Sequence, residues 1–273
     1  MDVVVGSMDA VLNDSQFLAN SANRIQLLEV LTDGAASRRE LQDATGVPRS
    51  TAARILDDAE ARGWIRSEGS RYRITSRGEA MITAFRGFLA AAEGIHHLGP
   101  AIEWLPEPAW KLDFQYFREA EVTTPTEDNP TAHFDRAMDH FRGSDSYRGL
   151  TQNSLPEYMK AIHDRVVEGQ LDFEGVIEAN FVDVLGTDPQ RAALWQDIAE
   201  WVWLYSGRVP LNMHIIDEVV LIWLCDENQT GDDVLVKGLL ESTHPDVVSW
   251  AESVYEEYRA EAEPLDPAVL PSE

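Results

Sequence analysis

Residues 37–75 read SRRELQDATGVPRSTAARILDDAEARGWIRSEGSRYRIT, and the fold is decided here. Ser37 and Glu40 stand at capping-box spacing, in which a serine hydroxyl and a glutamate carboxylate satisfy each other's backbone N–H groups at a helix start. Leu41 and Ala44 face inward. Gly46 is placed for the left-handed residue that ends a helix, and Pro48 suits the first turn of the next one. In that next helix Ala52, Ile55, Leu56 and Ala59 repeat at i, i+3, i+4, i+7, a buried stripe. At 100° per residue Ser50, Arg54 and Asp57 fall on the opposite side, with Arg49 and Thr51 flanking the first turn.

After Gly63, WIRS and RYRIT alternate apolar and polar residues about EGS, which predicts a β-hairpin with a glycine turn. Arg71 and Arg73 share one face; Tyr72 and Ile74 take the other. Two helices joined by a short glycine turn and followed by a hairpin form a winged helix-turn-helix. Upstream, a helix is expected over 16–32, with Leu18, Ile25, Leu28 and Leu31 near one face. Downstream, Ser76 and Glu79 repeat the capping-box spacing, and a helix should run over 77–93 through Met81, Phe85, Phe88 and Leu89. Its apolar residues exceed what a linker needs, so it is expected to be a homodimer seam.

The chain has 273 residues and a formal net charge of −26, with one cysteine, Cys225, and hence no internal disulfide. Residues 1–95 carry 11 basic and 13 acidic side chains, whereas 96–273 carry 11 and 35. Within 37–75 eight arginines outnumber six acids. A locally basic module on an acidic chain suits a nucleic-acid partner, because phosphate contacts supply most sequence-independent affinity. Arginine pairs with guanine edges in the major groove, and a hairpin grips the backbone. The candidate DNA-binding residues are therefore Arg38, Arg49, Ser50, Thr51, Arg54, Arg66, Arg71 and Arg73. The alternative is a winged helix used only as a protein-interaction adaptor.

LGPAIEWLPEPAWKLD contains prolines and a turn and places a junction near 98–110. Beyond it, helix patterns (131–142, 155–168 with Leu155, Tyr158, Met159, Ile162 and Val166, 188–200, 244–262) alternate with strand candidates at 147–152, 172–181, 201–205, 211–216, 218–225 and 233–241. Such alternation predicts a sheet covered by helices. The expected organisation is α+β. It runs from a flexible N-terminus (1–15) through the winged helix-turn-helix (16–75) and a linker or dimerisation helix and turn (76–105). An α/β regulatory domain (106–260) and a flexible tail (261–273) complete it.

Trp203, Tyr205, Arg208, Asn212 and His214 are candidates for an effector site, since aromatic walls with a few polar groups make ligand pockets; the same aromatics also make cores. HFDRAMDH (133–140) places His133, Arg136 and His140 near one helix flank, yet Phe134, Met138 and Phe141 already explain that helix as amphipathic, so no metal is expected. The His-x-Lys pattern of phospholipase-like enzymes is absent: no histidine has lysine two residues on. Neither a phosphate-binding glycine loop nor a G-x-S-x-G elbow occurs. From these readings the chain is expected to be no enzyme, to hold no cofactor, and to be cytoplasmic, with neither a secretory signal nor a membrane span.

GVPRSTAARILDDAEARGWI and TSRGEA resemble archaeal winged-helix regulators of the IclR and MarR types over roughly residues 20–95. HHLGPAIEWLPE, AEVTTPTEDNP, YRGLTQNSLPEYM and WAESVYEEYR resemble the middle domain of methanogenesis-type regulators. The resemblance implies a transcription regulator of double-stranded DNA whose larger domain senses an effector or mediates assembly. Three lysines against 19 arginines on an acidic chain further resemble the proteins of salt-loving archaea.

Overall fold

The chain opens in a helix, α1 (Asp2–Ala19), where the sequence suggested a flexible segment over 1–15. Its end is pinned: Arg62 Nη2 donates to Asn13 Oδ1 at 3.0 Å, and Arg62 Nε lies 3.3 Å from Asp14. The computed structural model describes residues 2–152, 156–226 and 235–270. It divides the chain into two compact units, Met1–Ala90 and Ala91–Glu273.

In the first unit the helix expected over 16–32 is two. α2 (Ala22–Thr32) starts after Ser21, whose extended backbone (φ −166°) breaks the run. Phe17 and Leu18 of α1 and Leu27, Leu28 and Leu31 of α2 are all buried, so the break lets both helices face one core. A two-residue strand, β1 (Ala36–Ser37), leads into α3 (Arg38–Thr45). Both halves of the Ser37–Glu40 capping box are present, and Gly46 ends the helix at φ 69°. α4 (Arg49–Ala61) buries Ala52, Ile55, Leu56 and Ala59. β2 (Ile65–Glu68) and β3 (Arg71–Ile74) form the hairpin, and β1 adds to β3 as a third strand. The fully buried Trp64 packs edge-on against Phe17.

α5 (Ser76–Leu98) follows. Its start is held by Thr75, whose Oγ1 accepts from Gly78 N at 3.1 Å, rather than by the Ser76–Glu79 pair. Of the residues expected at a dimer seam, Phe85 is buried in the first unit's core and Leu89 packs against it. Phe88, at 64% exposure, is uncovered.

The second unit begins with 3-10 turns over Gly99–Trp104, Glu107–Lys111 and Phe114–Phe117, where proline sits at each of the first two starts. There follow β4 (Glu121–Thr123), α6 (Ala132–Arg142), β5 (Ser146–Thr151), α7 (Pro156–Val167) and β6 (Asp172–Glu178). Next come α8 (Phe181–Leu185), α9 (Pro189–Asp197), β7 (Val202–Tyr205), β8 (Met213–Ile216) and β9 (Val219–Cys225). β10 (Val236–Ser242), α10 (Pro245–Glu261) and β11 (Glu263–Pro264) close the chain. Leu155 and residues 233–234, assigned to a helix and a strand above, lie outside the described residues.

The eight strands form one mixed sheet in the order β11-β7-β6-β5-β8-β9-β10-β4. β5, β6 and β7 run parallel, and the other pairings are antiparallel. Helices cover both faces, as a two-sided apolar sheet requires. On one face Phe141, Met159, Ile162 and Trp195 of α6, α7 and α9 pack on Tyr147, Phe173 and Leu221. On the other, Val247, Ala251 and Tyr255 of α10 pack on Leu150, Val176 and Ile222. The fold is thus α+β, with a winged helical head, a linking helix and a helix-covered sheet. The tail expected to be loose over 261–273 is instead tied down: β11 pairs with β7, and Leu265 and Leu270 are buried because their side chains complete the α6–α9 core. Residues 271–273 lie outside the described residues.

Candidate functional site

α4 presents Arg49, Ser50 and Arg54 to solvent, opposite its buried stripe, while Thr51 and Ala53 are half-buried. The remaining arginines of residues 37–75 are engaged. Arg38 Nε donates to the Tyr72 hydroxyl at 2.8 Å and its guanidinium lies 3.8 Å from Asp57. Arg39 pairs with Asp43 one turn on, and Arg62 with Asp14. On the hairpin, Arg66 Nε donates to Glu68 Oε1 at 2.9 Å, and Arg73 Nε donates to the same carboxylate at 3.2 Å. Arg71 lies 3.2 Å from Glu40 and donates to the Ala35 carbonyl. Arg49 and Arg54 are therefore the two arginines of the stretch with no carboxylate within 4.0 Å among the described residues.

The hydrogen bonds from Arg66 and then Arg73 hold the Glu68 carboxyl below the usual range. Glu40 is lowered too, by the Ser37 backbone N–H first and its hydroxyl second. Glu68 was not singled out from the sequence, and Glu40 was read there only as a helix cap. The signal was present: Glu68 sits in register with Arg71, and Arg66 with Arg73, so one carboxylate at the hairpin turn reaches two guanidiniums.

The five candidate effector residues are not brought together. Side chains alternate across a strand. Trp203 and Tyr205 of β7 therefore face α10, where the Arg259 guanidinium lies 3.4 Å from the Trp203 ring centroid and Tyr258 meets Tyr205 edge-on at 4.9 Å. His214 of β8 faces the opposite way, toward Tyr147, Tyr158 and Trp223. Asn212 Oδ1 accepts from Gln152 N at 2.8 Å, and Arg208 is exposed on the loop between β7 and β8. A single site containing all five is ruled out by the sheet between them.

HFDRAMDH turns out to be a clamp. Arg136 donates to both oxygens of Glu241, at 2.7 and 2.8 Å, and His140 Nε2 lies 2.9 Å from the same carboxylate, tying α6 to β10. Among the described residues no three His, Cys, Asp or Glu side chains converge as a metal-binding group. No helix among them is long and apolar enough to cross a membrane.

Two family models match. Residues 12–96 match the HVO_A0261 N-terminal domain, a description different from the IclR and MarR types, and residues 130–261 match the middle domain of the methanogenesis regulatory protein FilR1. The larger unit thus matches a domain of an archaeal-type regulatory protein, as its sequence resemblance implied. No curated protein matches the chain. Among solved structures it is similar to TrmBL2, an archaeal chromatin protein, at 14% identity and TM-score 0.40, covering 93% of this chain and 99% of that one. It is also similar to Nuc, a phospholipase D family member from Salmonella typhimurium, at 14% identity and TM-score 0.41, covering 54% and 99%. An O-methyltransferase family protein from Burkholderia thailandensis matches at 15% identity and TM-score 0.28, covering 76% and 64%. Methyltransferases recur among these matches. They overturn the expectation that the chain is no enzyme, and that expectation is withdrawn; at TM-scores of 0.24–0.29 they assign no activity.

Proposed function

We propose that the chain is a sequence-specific DNA-binding transcription regulator of the cytoplasm. α4, within residues 48–62, enters the major groove, the wing at 64–75 lies on the backbone, and the sheet domain senses an effector or mediates assembly. The observation that carries this reading is the pair Arg49 and Arg54. They are exposed arginines without carboxylate partners among the described residues, on the helix face that the core leaves open, at its N-terminal half where a helix also favours phosphate. The match of residues 130–261 to a regulatory-protein domain supports the same reading. A homodimer would present two such helices to a pseudo-palindromic site, with the uncovered Phe88 at its seam. The acidic second unit repels phosphate and confines binding to the head; at the ionic strength of a salt-loving archaeon that repulsion is short-ranged.

The wing favours the second reading, a protein-interaction adaptor, because each of its arginines already has a carboxylate. The two readings part on Glu68→Gln, which removes the anion shared by Arg66 and Arg73. For a DNA-gripping wing, affinity for random duplex rises several-fold at low salt, and the slope of log K against log salt steepens by roughly 1–2. The measurement is a duplex titration at several salt concentrations. An unchanged slope removes the wing from the interface. The proposal as a whole is tested by selecting duplexes from a randomised pool with the full chain: recovery of one shared half-site supports the regulator, and recovery of no common sequence favours the adaptor.

A further inference from the structure

His133 of α6 and His214 of β8 are 3% and 6% exposed, and the Nδ1 atom of each is buried without a hydrogen-bond partner among the described residues. Buried polar groups are almost always paired, because leaving one unpaired forfeits its hydration with nothing in return. Two such atoms lie around one side chain: the rings of His133 and His214 stand 6.1 and 6.0 Å from that of Trp223. Phe134, at 5.1 Å, and Tyr158, at 6.0 Å, complete an aromatic wall about the same indole.

From β5 the chain builds β6 and β7 outward on one side of the sheet, whereas β8, β9 and β10 build outward on the other. At the β5–β8 boundary the pairing changes from parallel to antiparallel. His214 sits on it, paired across to Gly149 of β5. Gly149 in turn pairs with Gly175 of β6, so two adjacent strands carry no side chain at this row of the face. The stacked rings of Tyr147 and Phe173 lean over those glycines; a Cβ on Gly149 would stand 2.9 Å from the Tyr147 ring.

We propose that this face of the sheet, between α6, α7 and the β5–β8 boundary, is a ligand site in which His133 and His214 hydrogen-bond an uncharged nitrogen-containing ring compound held against Trp223, Phe134 and Tyr158. The ligand is uncharged because burial keeps both imidazoles neutral at pH 7 and, among the described residues, the two arginines of α6 are committed to carboxylates, Arg136 to Glu241 and Arg142 to Asp139. It is a ring because three aromatic side chains flank the two imidazoles, a surface suited to stacking. The inference rests on the effector-sensing half of the proposed function and is independent of DNA binding.

The test uses the full chain without DNA, with its histidine side chains labelled for nitrogen NMR, and adenine, nicotinamide and indole as probes. At least one probe is expected to move the Nδ1 resonances of both His133 and His214 and to raise the thermal midpoint. His214→Leu is expected to abolish both effects while raising the ligand-free midpoint by ~2 °C, since it removes an unpaired polar atom. His133→Leu should act likewise. The proposal is overturned if all three probes leave both imidazoles unmoved at saturating concentration, if inorganic phosphate moves them instead, or if the probe response survives both substitutions. Because DNA is absent, a negative result here leaves the DNA-binding reading intact, and a failure to select duplexes leaves this one intact.

Discussion

Lowering the pH from 7 to 4 is expected to cost the wild-type chain ~3 kcal/mol more stability than it costs His214→Leu. Burial among Tyr147, Tyr158 and Trp223 pulls the His214 imidazole from 6.5 down to about 4. The unfolded chain therefore binds a proton that the folded chain refuses. The stability from the neutral ring is fully present above about 6.5 and is lost as the pH falls towards about 4. Burial pushes both neighbouring tyrosines upward, out of this window. His133 is lowered by burial, so it contributes with the same sign. Comparison with His214→Leu matters because the many carboxylates titrate nearby in pH in both proteins and cancel in the difference. Denaturant unfolding at pH 7, 5.5 and 4 measures it; parallel pH profiles for the two proteins would show that His214 is not the buried neutral group described here.

Arg54→Ala is expected to weaken binding to a selected duplex by roughly 5- to 150-fold, or ~1–3 kcal/mol, and to relax base preference at one position in each half-site. Arg54 lies opposite the stripe of Ala52, Ile55, Leu56 and Ala59, and no carboxylate competes for it among the described residues. Arg49→Ala, at the first turn, should instead weaken all duplexes alike, as loss of a phosphate contact does. Competition between selected and scrambled duplexes separates the two patterns. Unchanged affinity and preference in a folded Arg54→Ala protein would exclude it from reading bases.

The head was legible because its signals are local. Ser37, Glu40 and Gly46 fix one helix by capping, and the spacing of Ala52, Ile55, Leu56 and Ala59 fixes the next. Tyr72 alternates with Arg71 and Arg73 as a hairpin demands. What was missed depends on contacts distant in sequence. α1 is anchored through Arg62, 48 residues beyond Asp14. The short strands β1, β4 and β11 exist through pairing with β3, β10 and β7. α8 sits where a strand was expected to continue to 181, because β6 ends at Glu178, whose carboxylate accepts from Val209 N at 2.7 Å. The candidate effector residues failed as a group for a similar reason. Proximity in sequence placed Trp203, Tyr205 and His214 together, but the pleat sends the first two to one face of the sheet and His214 to the other. His133, read as part of a charged helix flank, belongs with His214 only once α6 is laid on the sheet.

The central claim is that Arg49 and Arg54 on α4 direct the chain to particular DNA sequences. A genome-wide occupancy map of the tagged full chain, made beside Arg54→Ala at matched abundance, tests it most directly. Discrete sites that share one half-site are expected for the wild-type chain, and their loss or degeneration is expected in Arg54→Ala. Diffuse signal without a shared sequence, or peaks identical in both proteins, would contradict it.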